Sequence, residues 1–153
     1  MKIRILCVGK IKEVFYQKRI EEYSAEIQKQ CQFEIIEVDD EKTAEHMSET
    51  ELRTVLKAEG ERLLRYLNRN SKELVVALCI DGKKYSTEGW NRNLQEQIQK
   101  KEIQQITYII GGSLGLDQTV IQRADQKLSF SNLTFPHQLM RVILTEQIAN
   151  GYL

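Results

Sequence analysis

The chain has 153 residues, 41% hydrophobic and 29% charged, and this mixture is typical of one globular domain and not of a disordered chain. Lysine plus arginine and aspartate plus glutamate both number 22, so no general affinity for nucleic acid or anionic membranes follows from the zero formal charge, and a local basic face or one formed by a dimer stays open. Cys7, Cys31 and Cys79 lack the paired spacing of zinc or redox motifs. No apolar run suits a signal segment or a membrane span, so we expect a cytoplasmic protein.

The first half of the chain alternates between strand-like and helix-like patterns. Compact apolar runs over residues 3–8, 33–38 and 74–80 predict buried strands, the last of them ending at Asp81-Gly82. Apolar residues at helical spacing predict amphipathic helices over residues 12–30 and 50–67. The buried face of the first helix is predicted to contain Val14, Phe15, Ile20, Tyr23 and Ile27.

The second half continues this alternation. Ser86 is expected to cap a third helix, and a β-branched strand over residues 106–110 follows it. Asp117 is expected to cap a short helix, residues 128–130 to form a strand, and Pro136 to lie in the first turn of a final helix. The pattern predicts an α/β fold for residues 1–153 as one domain, with a mostly parallel sheet covered by helices on both faces.

Two loops at strand ends are the candidate ligand site, because ligands of open α/β sheets bind beyond the carboxyl ends of the strands. One loop spans residues 111–115 and the other residues 131–135. The glycines of the first loop match neither the dinucleotide fingerprint nor the phosphate loop, so a mere tight turn stays open as an alternative. His46 and His137 stand too far apart in sequence to indicate a metal site, and no hydrolytic triad is supported.

The final helix is apolar around much of its circumference. Such a helix is buried on several sides, either within its own domain or against a second copy of the chain. We expect a homodimer, which charged residues in place of Met140 and Ile143 would disrupt. The apolar residues of this helix are Leu139, Met140, Val142, Ile143, Leu144, Ile148 and, further along, Leu153.

Several motifs together resemble the RlmH family of the SPOUT superfamily, bacterial methyltransferases that act on a pseudouridine of large-subunit ribosomal RNA. The motifs are VGK at 8–10, IDGK at 80–83, IGGSLGL at 110–116, LSFS at 128–131, TFPHQLMR at 134–141 and EQ at 146–147. The resemblance implies a C-terminal trefoil knot, a homodimer, S-adenosylmethionine as the methyl donor, and transfer to N3 of a pseudouridine in the helix 69 loop of 23S ribosomal RNA on the assembled ribosome.

The resemblance also implies which residues form the site. His137 and Arg141 are the candidates for the base that removes the N3 proton and for a cation that orients the RNA. A side chain at Gly111 is expected to occupy space that the cofactor needs, with little loss of fold. The implied cofactor contacts are Leu78, Gly111, Phe130, Ser131, Asn132, Leu133, Thr134 and Phe135.

The sequence departs from the family pattern after Ile148, where Ala-Asn-Gly-Tyr-Leu stands in place of Tyr-Arg-Ala and a cationic, histidine-bearing tail. Because that tail faces the substrate in the family, the resemblance implies normal cofactor binding but slower methyl transfer. Grafting the family tail after Ile148 is expected to restore the rate. Two alternatives are a catalytically weakened dimer that binds cofactor or ribosome, and a generic nucleotide-binding module.

Overall fold

The structure is a computed structural model that describes residues 1–67 and 72–152. Strands and helices alternate along these residues, as the sequence predicts. The elements are β1 (Lys2–Val8), α1 (Val14–Gln28), β2 (Gln32–Val38), α2 (Glu49–Leu64), β3 (Glu73–Lys84), α3 (Thr87–Gln99), β4 (Gln105–Ile110), α4 (Gln118–Arg123), β5 (Gln126–Ser129) and α5 (His137–Gly151). Leu153, which the sequence assigns to the final helix, lies outside the described residues.

The five strands pair in the order β2-β1-β4-β3-β5, and each pairing is parallel. Successive side chains of a strand point to opposite faces, so Ile5 packs in one core layer and Leu6 in the other. The first layer contains residues of α1, α3 and α5, and the second contains residues of α2 and α4. The prediction of an α/β fold with a parallel sheet and helices on both faces is confirmed.

Two apolar residues of α1 are not buried, contrary to the prediction. Ile20 and Ile27 lie in the core, whereas Val14 is 73% exposed and Phe15 is 67% exposed. The helix begins at Val14, so these two residues form its first turn, before the stretch that packs on the sheet. Helical spacing alone does not show where along its length a helix makes contact with the core.

Strand β3 is longer than the sequence predicts, because the Asp81-Gly82 turn signal does not end it. Its pairing with β5 is irregular between Leu78 and Lys83, and then resumes at Lys83 and Lys84. Bulges of this kind bend a strand and redirect its end without ending the ladder. The irregular stretch contains Ile80, which lines the cavity described below.

Helix α5 packs largely against other elements of the same chain. It packs against α1 and α3, and Leu144, Thr145 and Ile148 are fully buried. The indole of Trp90 on α3 donates a hydrogen bond of 3.0 Å to the carbonyl of Gln147. Of the two alternatives for this helix, packing within its own domain therefore holds for its inner face.

Candidate active site

A cavity of about 630 Å³ opens at the carboxyl edge of the sheet, a size suited to a cofactor. Its walls come from the ends of β3, β4 and β5, the loops after β4 and β5, and the first turn of α5. The lining residues are Leu78, Cys79, Ile80, Ile110, Gly111, Gly112, Ser113, Leu114, Gly115, Leu116, Leu128, Ser129, Phe130, Ser131, Leu133, Thr134, Phe135, Pro136, His137 and Met140.

This cavity brings together the residues that the resemblance assigns to cofactor binding. Every one of them lines it except Asn132, whose side chain is exposed. Sequence reasoning missed Cys79, Ile80 and Met140, although each neighbours a predicted position in the chain. Their contribution depends on the bulge in β3 and on the orientation of α5, and neither is visible in the local sequence.

The glycine loop, residues 111–115, folds back on itself. Gly112 and Gly115 form an isolated antiparallel bridge, in which the N–H of Gly115 donates a 3.1 Å hydrogen bond to the carbonyl of Gly112. A Cβ on Gly111 would lie 2.4 Å from the Gly115 carbonyl oxygen. The expectation of little loss of fold is corrected, since the loop's own packing leaves no room for a side chain at Gly111.

A buried carboxylate supports this loop from behind, and sequence reasoning did not identify it. Glu59 of α2 is 5% exposed and accepts a 3.0 Å hydrogen bond from the N–H of Glu41. One of its oxygens lies 3.4 Å from the position of a Cβ on Gly112, and burial raises the pKa of the carboxyl. In sequence the residue looks like an ordinary charged position on a helix surface.

The loop after β5, residues 130–135, is held by its own serines. The hydroxyl of Ser129 donates to the carbonyl of Ser131 at 2.9 Å, and the hydroxyl of Ser131 accepts from the N–H of Leu133 at 3.0 Å. Phe130 meets the ring of Trp90 edge-on, with 6.0 Å between centroids. The loop therefore presents apolar side chains and main chain to the cavity, which is the chemistry that an adenine ring needs.

His137 is half-buried at the cavity wall, in the first turn of α5. Burial lowers the pKa of its imidazole below the ordinary value of 6.5, the nearby charge of Arg141 lowers it further, and Asp40 opposes them. A lowered pKa keeps the ring neutral at neutral pH, and only a neutral imidazole accepts a proton. The geometry is compatible with the predicted role as a base.

Arg141 is only 1% exposed and has partners inside the chain. Its Nη1 atom lies 2.6 Å from Oε2 of Glu37, and its Nη2 atom donates to the carbonyl of Gly9 at 3.0 Å. This placement corrects the expectation of a cation that faces RNA from this position. A buried guanidinium requires such partners, because an unpaired charge away from water is strongly destabilising.

A family model described as "Predicted SPOUT methyltransferase" matches residues 1–151 of the chain. The chain belongs to the SPOUT methyltransferases. It is therefore a methyl-transferring enzyme, and its five-stranded parallel sheet with helices on both faces agrees with the α/β fold of that family.

Curated relatives named "Ribosomal RNA large subunit methyltransferase H" resemble this SPOUT methyltransferase over its whole length. The one from Latilactobacillus sakei is 46% identical over 153 residues, which is 100% of this chain and 94% of the relative. The one from Clostridioides difficile is 44% identical over 152 residues, covering 99% of this chain and 94% of the relative. The resemblance to the RlmH family that the sequence motifs indicate is confirmed.

Residues 1–67 and 72–152 contain neither a metal-binding cluster nor a membrane-spanning helix. No group of three or more histidine, cysteine, aspartate or glutamate side chains there is arranged to hold a metal ion. No helix in that part of this SPOUT methyltransferase is long and apolar enough to cross a membrane.

Proposed function

We propose that the chain transfers a methyl group from S-adenosylmethionine to N3 of a pseudouridine in the helix 69 loop of 23S ribosomal RNA, on the assembled ribosome in the cytoplasm. The observation that carries this proposal is the single cavity that gathers the strand-end residues of β3, β4 and β5. The relatives' name supports a ribosomal RNA substrate. In this proposal the chain also has the trefoil knot of the family.

The residues of the cavity suit this cofactor. Leu78, Leu116 and Phe130 give apolar walls for an adenine ring, and the glycine loop offers main chain without side chains in the way. S-adenosylmethionine supplies the electrophilic methyl group when it is bound. The protein's own contribution is to position the nucleotide and to remove a proton, which are the tasks left to a cofactor enzyme.

His137 is the proposed base for the N3 proton, since it is the titratable side chain with a lowered pKa in the wall of the cavity. Activity should rise with pH through the pKa of His137, with a midpoint below 6.5, and should then stay level through neutral pH. His137→Gln should remove this limb and slow methyl transfer by about 10²-fold or more. His46→Gln, in an exposed loop, is the control. An unchanged profile in His137→Gln would assign the proton to another group.

Incubating the protein with S-adenosylmethionine and undermethylated ribosomes, followed by mass spectrometry of the 23S RNA, tests the function. A methylated pseudouridine at the helix 69 loop is the expected product. Cofactor binding in a calorimeter without that product would favour the alternative, a catalytically weakened dimer. Equal affinity for adenine nucleotides and S-adenosylmethionine would instead favour a generic nucleotide-binding module.

The proposal includes a homodimer, and the structure suggests which surface to test. Val14 and Phe15 form an exposed apolar pair at the start of α1, which packs against α5. Leu139 and Ile143 of α5 are half-buried. Exposed apolar pairs of this kind favour contact with another protein surface when they belong to a larger patch.

Phe15→Asp should convert the dimer to monomers in sedimentation experiments, because a carboxylate cannot enter an apolar interface without a partner. Because Phe15 is exposed, this substitution should not unfold the chain, and an unchanged melting temperature of the monomer would verify this. Tyr66→Asp, which changes an exposed aromatic at the end of α2, is the matched control. A dimer that survives Phe15→Asp would place the interface elsewhere.

A further inference from the structure

An RNA substrate needs cations to neutralise its phosphates, and the cavity itself supplies none. Among the residues that the structure describes, its lining includes no lysine or arginine, and Arg141 next to it is buried. Contacts to phosphate provide much of the affinity in protein–nucleic acid complexes and fix the position of the ligand. If the proposed function is correct, cations outside the cavity lining contact these phosphates.

The turn after β1 carries a lysine, Lys10, and hydrogen bonds hold its main chain on both sides of that residue. Gly9 has a φ of +86° and donates a 2.8 Å hydrogen bond to the carbonyl of Val38. Arg141 donates to the carbonyl of Gly9, while Oε2 of Glu37 accepts from Arg141 and, at 3.3 Å, from the N–H of Ile11. The ion pair of Arg141 and Glu37 therefore binds the residues on both sides of Lys10.

This turn lies beside the cavity. Strand β1 pairs in parallel with β4, so its carboxyl end lies at the same edge of the sheet as the glycine loop. Cγ1 of Val8 lies 3.2 Å from the position of a Cβ on Gly112, which lines the cavity. On the other side, Arg141 is one helical turn beyond His137.

Lys10 is exposed, and within the described part of the chain its ammonium group has no hydrogen-bond or ion-pair partner. Its neighbour Asp40 lies against Gly9, 3.9 Å from the position of a Cβ there, without an ion pair to Lys10. A free ammonium group on a rigid turn loses less freedom on binding than one on a mobile loop. The anion that fits beside the site of a nucleotide-modifying enzyme is a phosphate of the substrate backbone.

We propose that Lys10 contacts a phosphate next to the target nucleotide, and that Arg141 and Glu37 are positioning residues that hold its turn. The inference rests on the proposed function and names a residue of that same site. Lys10, and not Arg141, is then the cation that faces the RNA. The buried Arg141 holds the turn that carries Lys10. Lys10 contributes to the affinity for RNA, and the residues of the cavity contribute to the affinity for S-adenosylmethionine.

The first test measures the KM for undermethylated ribosomes as KCl is raised at constant Mg²⁺. Lys10→Gln should raise KM roughly three- to tenfold at low salt, because one phosphate contact is lost. The slope of log KM against log salt should fall by about 1. Calorimetric affinity for S-adenosylmethionine should stay the same. Lys101→Gln, an exposed lysine between α3 and β4 at the opposite edge of the sheet, is the matched control and should change neither quantity.

The second test combines Lys10→Gln with Glu37→Gln, which weakens the ion pair and leaves Arg141 in place. If Glu37 acts through the turn, the double variant should lose no more ribosome affinity than Lys10→Gln alone, because coupled sites are not additive. Additive losses would overturn the positioning role. An unchanged salt slope in Lys10→Gln would overturn the phosphate contact, whereas wild-type protein that methylates no ribosome would instead reject the proposed function.

Discussion

Arg141→Leu should lower the free energy of unfolding by about 3 kcal/mol, because one partner of a buried ion pair is removed. The variant leaves Glu37 without its cation and the carbonyl of Gly9 without its donor. Water reduces this loss by solvating the carboxylate of Glu37, since the side chain of Glu37 is 36% exposed. Urea denaturation measures the free energy, and the melting temperature should fall by roughly 6 to 12 °C for a chain of this size.

Arg53→Leu provides the matched comparison. Arg53 also forms an ion pair, 2.9 Å from Glu49, but both side chains are exposed on α2. Exposed pairs of this type contribute about 0 to 1 kcal/mol, so this variant should unfold almost as the wild type does. Equal stability of the two variants would show that the interior contacts of Arg141 do not stabilise the fold.

Gly111→Ala should reduce the affinity for S-adenosylmethionine at least about tenfold, because the loop that forms one wall of the cavity must move. The added methyl would lie 2.4 Å from the Gly115 carbonyl oxygen, and backbone atoms cannot move aside as a flexible side chain does. Calorimetry measures the binding. We also expect a loss of stability of about 1 to 3 kcal/mol, typical of overpacking.

Gly89→Ala adds the same methyl in the first turn of α3, where its nearest neighbour is the hydroxyl of Ser86 at 3.2 Å. Alanine is the better helix former, so this control should bind S-adenosylmethionine as the wild type does. Wild-type affinity in Gly111→Ala would show that the glycine loop adapts without affecting the cofactor, or that the cofactor binds elsewhere.

Local patterns predicted the elements of this fold well because each is encoded in a short stretch. Ser86 and Asp117 cap α3 and α4 through hydrogen bonds to main-chain N–H groups, as their positions before apolar periodic stretches indicate. Apolar or β-branched runs predicted the first four strands, whereas the strand predicted over residues 128–130 overlaps β5 only in part. The turn signal at Asp81-Gly82 failed because pairing with β5, distant in sequence, continues β3 past it.

The site could be predicted only in part, for a related reason. Residues that follow strands in sequence, such as Gly111 and Phe130, are recognisable from the strand pattern. The partners of Arg141 come from β2 and the turn after β1, far away in the chain, so its burial and its ion pair with Glu37 could not be predicted from the residues around it. Glu59 gave no signal either, since its burial depends on the packing of α2 beneath the glycine loop.

The position of β1 in the sheet affects how the chain folds during its synthesis. Its neighbours are β2, which follows it closely, and β4, which is separated from it by three helices and two strands. During synthesis one edge of β1 therefore stays unpaired until β4 has left the ribosome. An unpaired apolar strand edge is a template for aggregation, and contacts between distant segments form slowly. We expect the nascent amino-terminal half to depend on chaperones or on rapid completion of the chain.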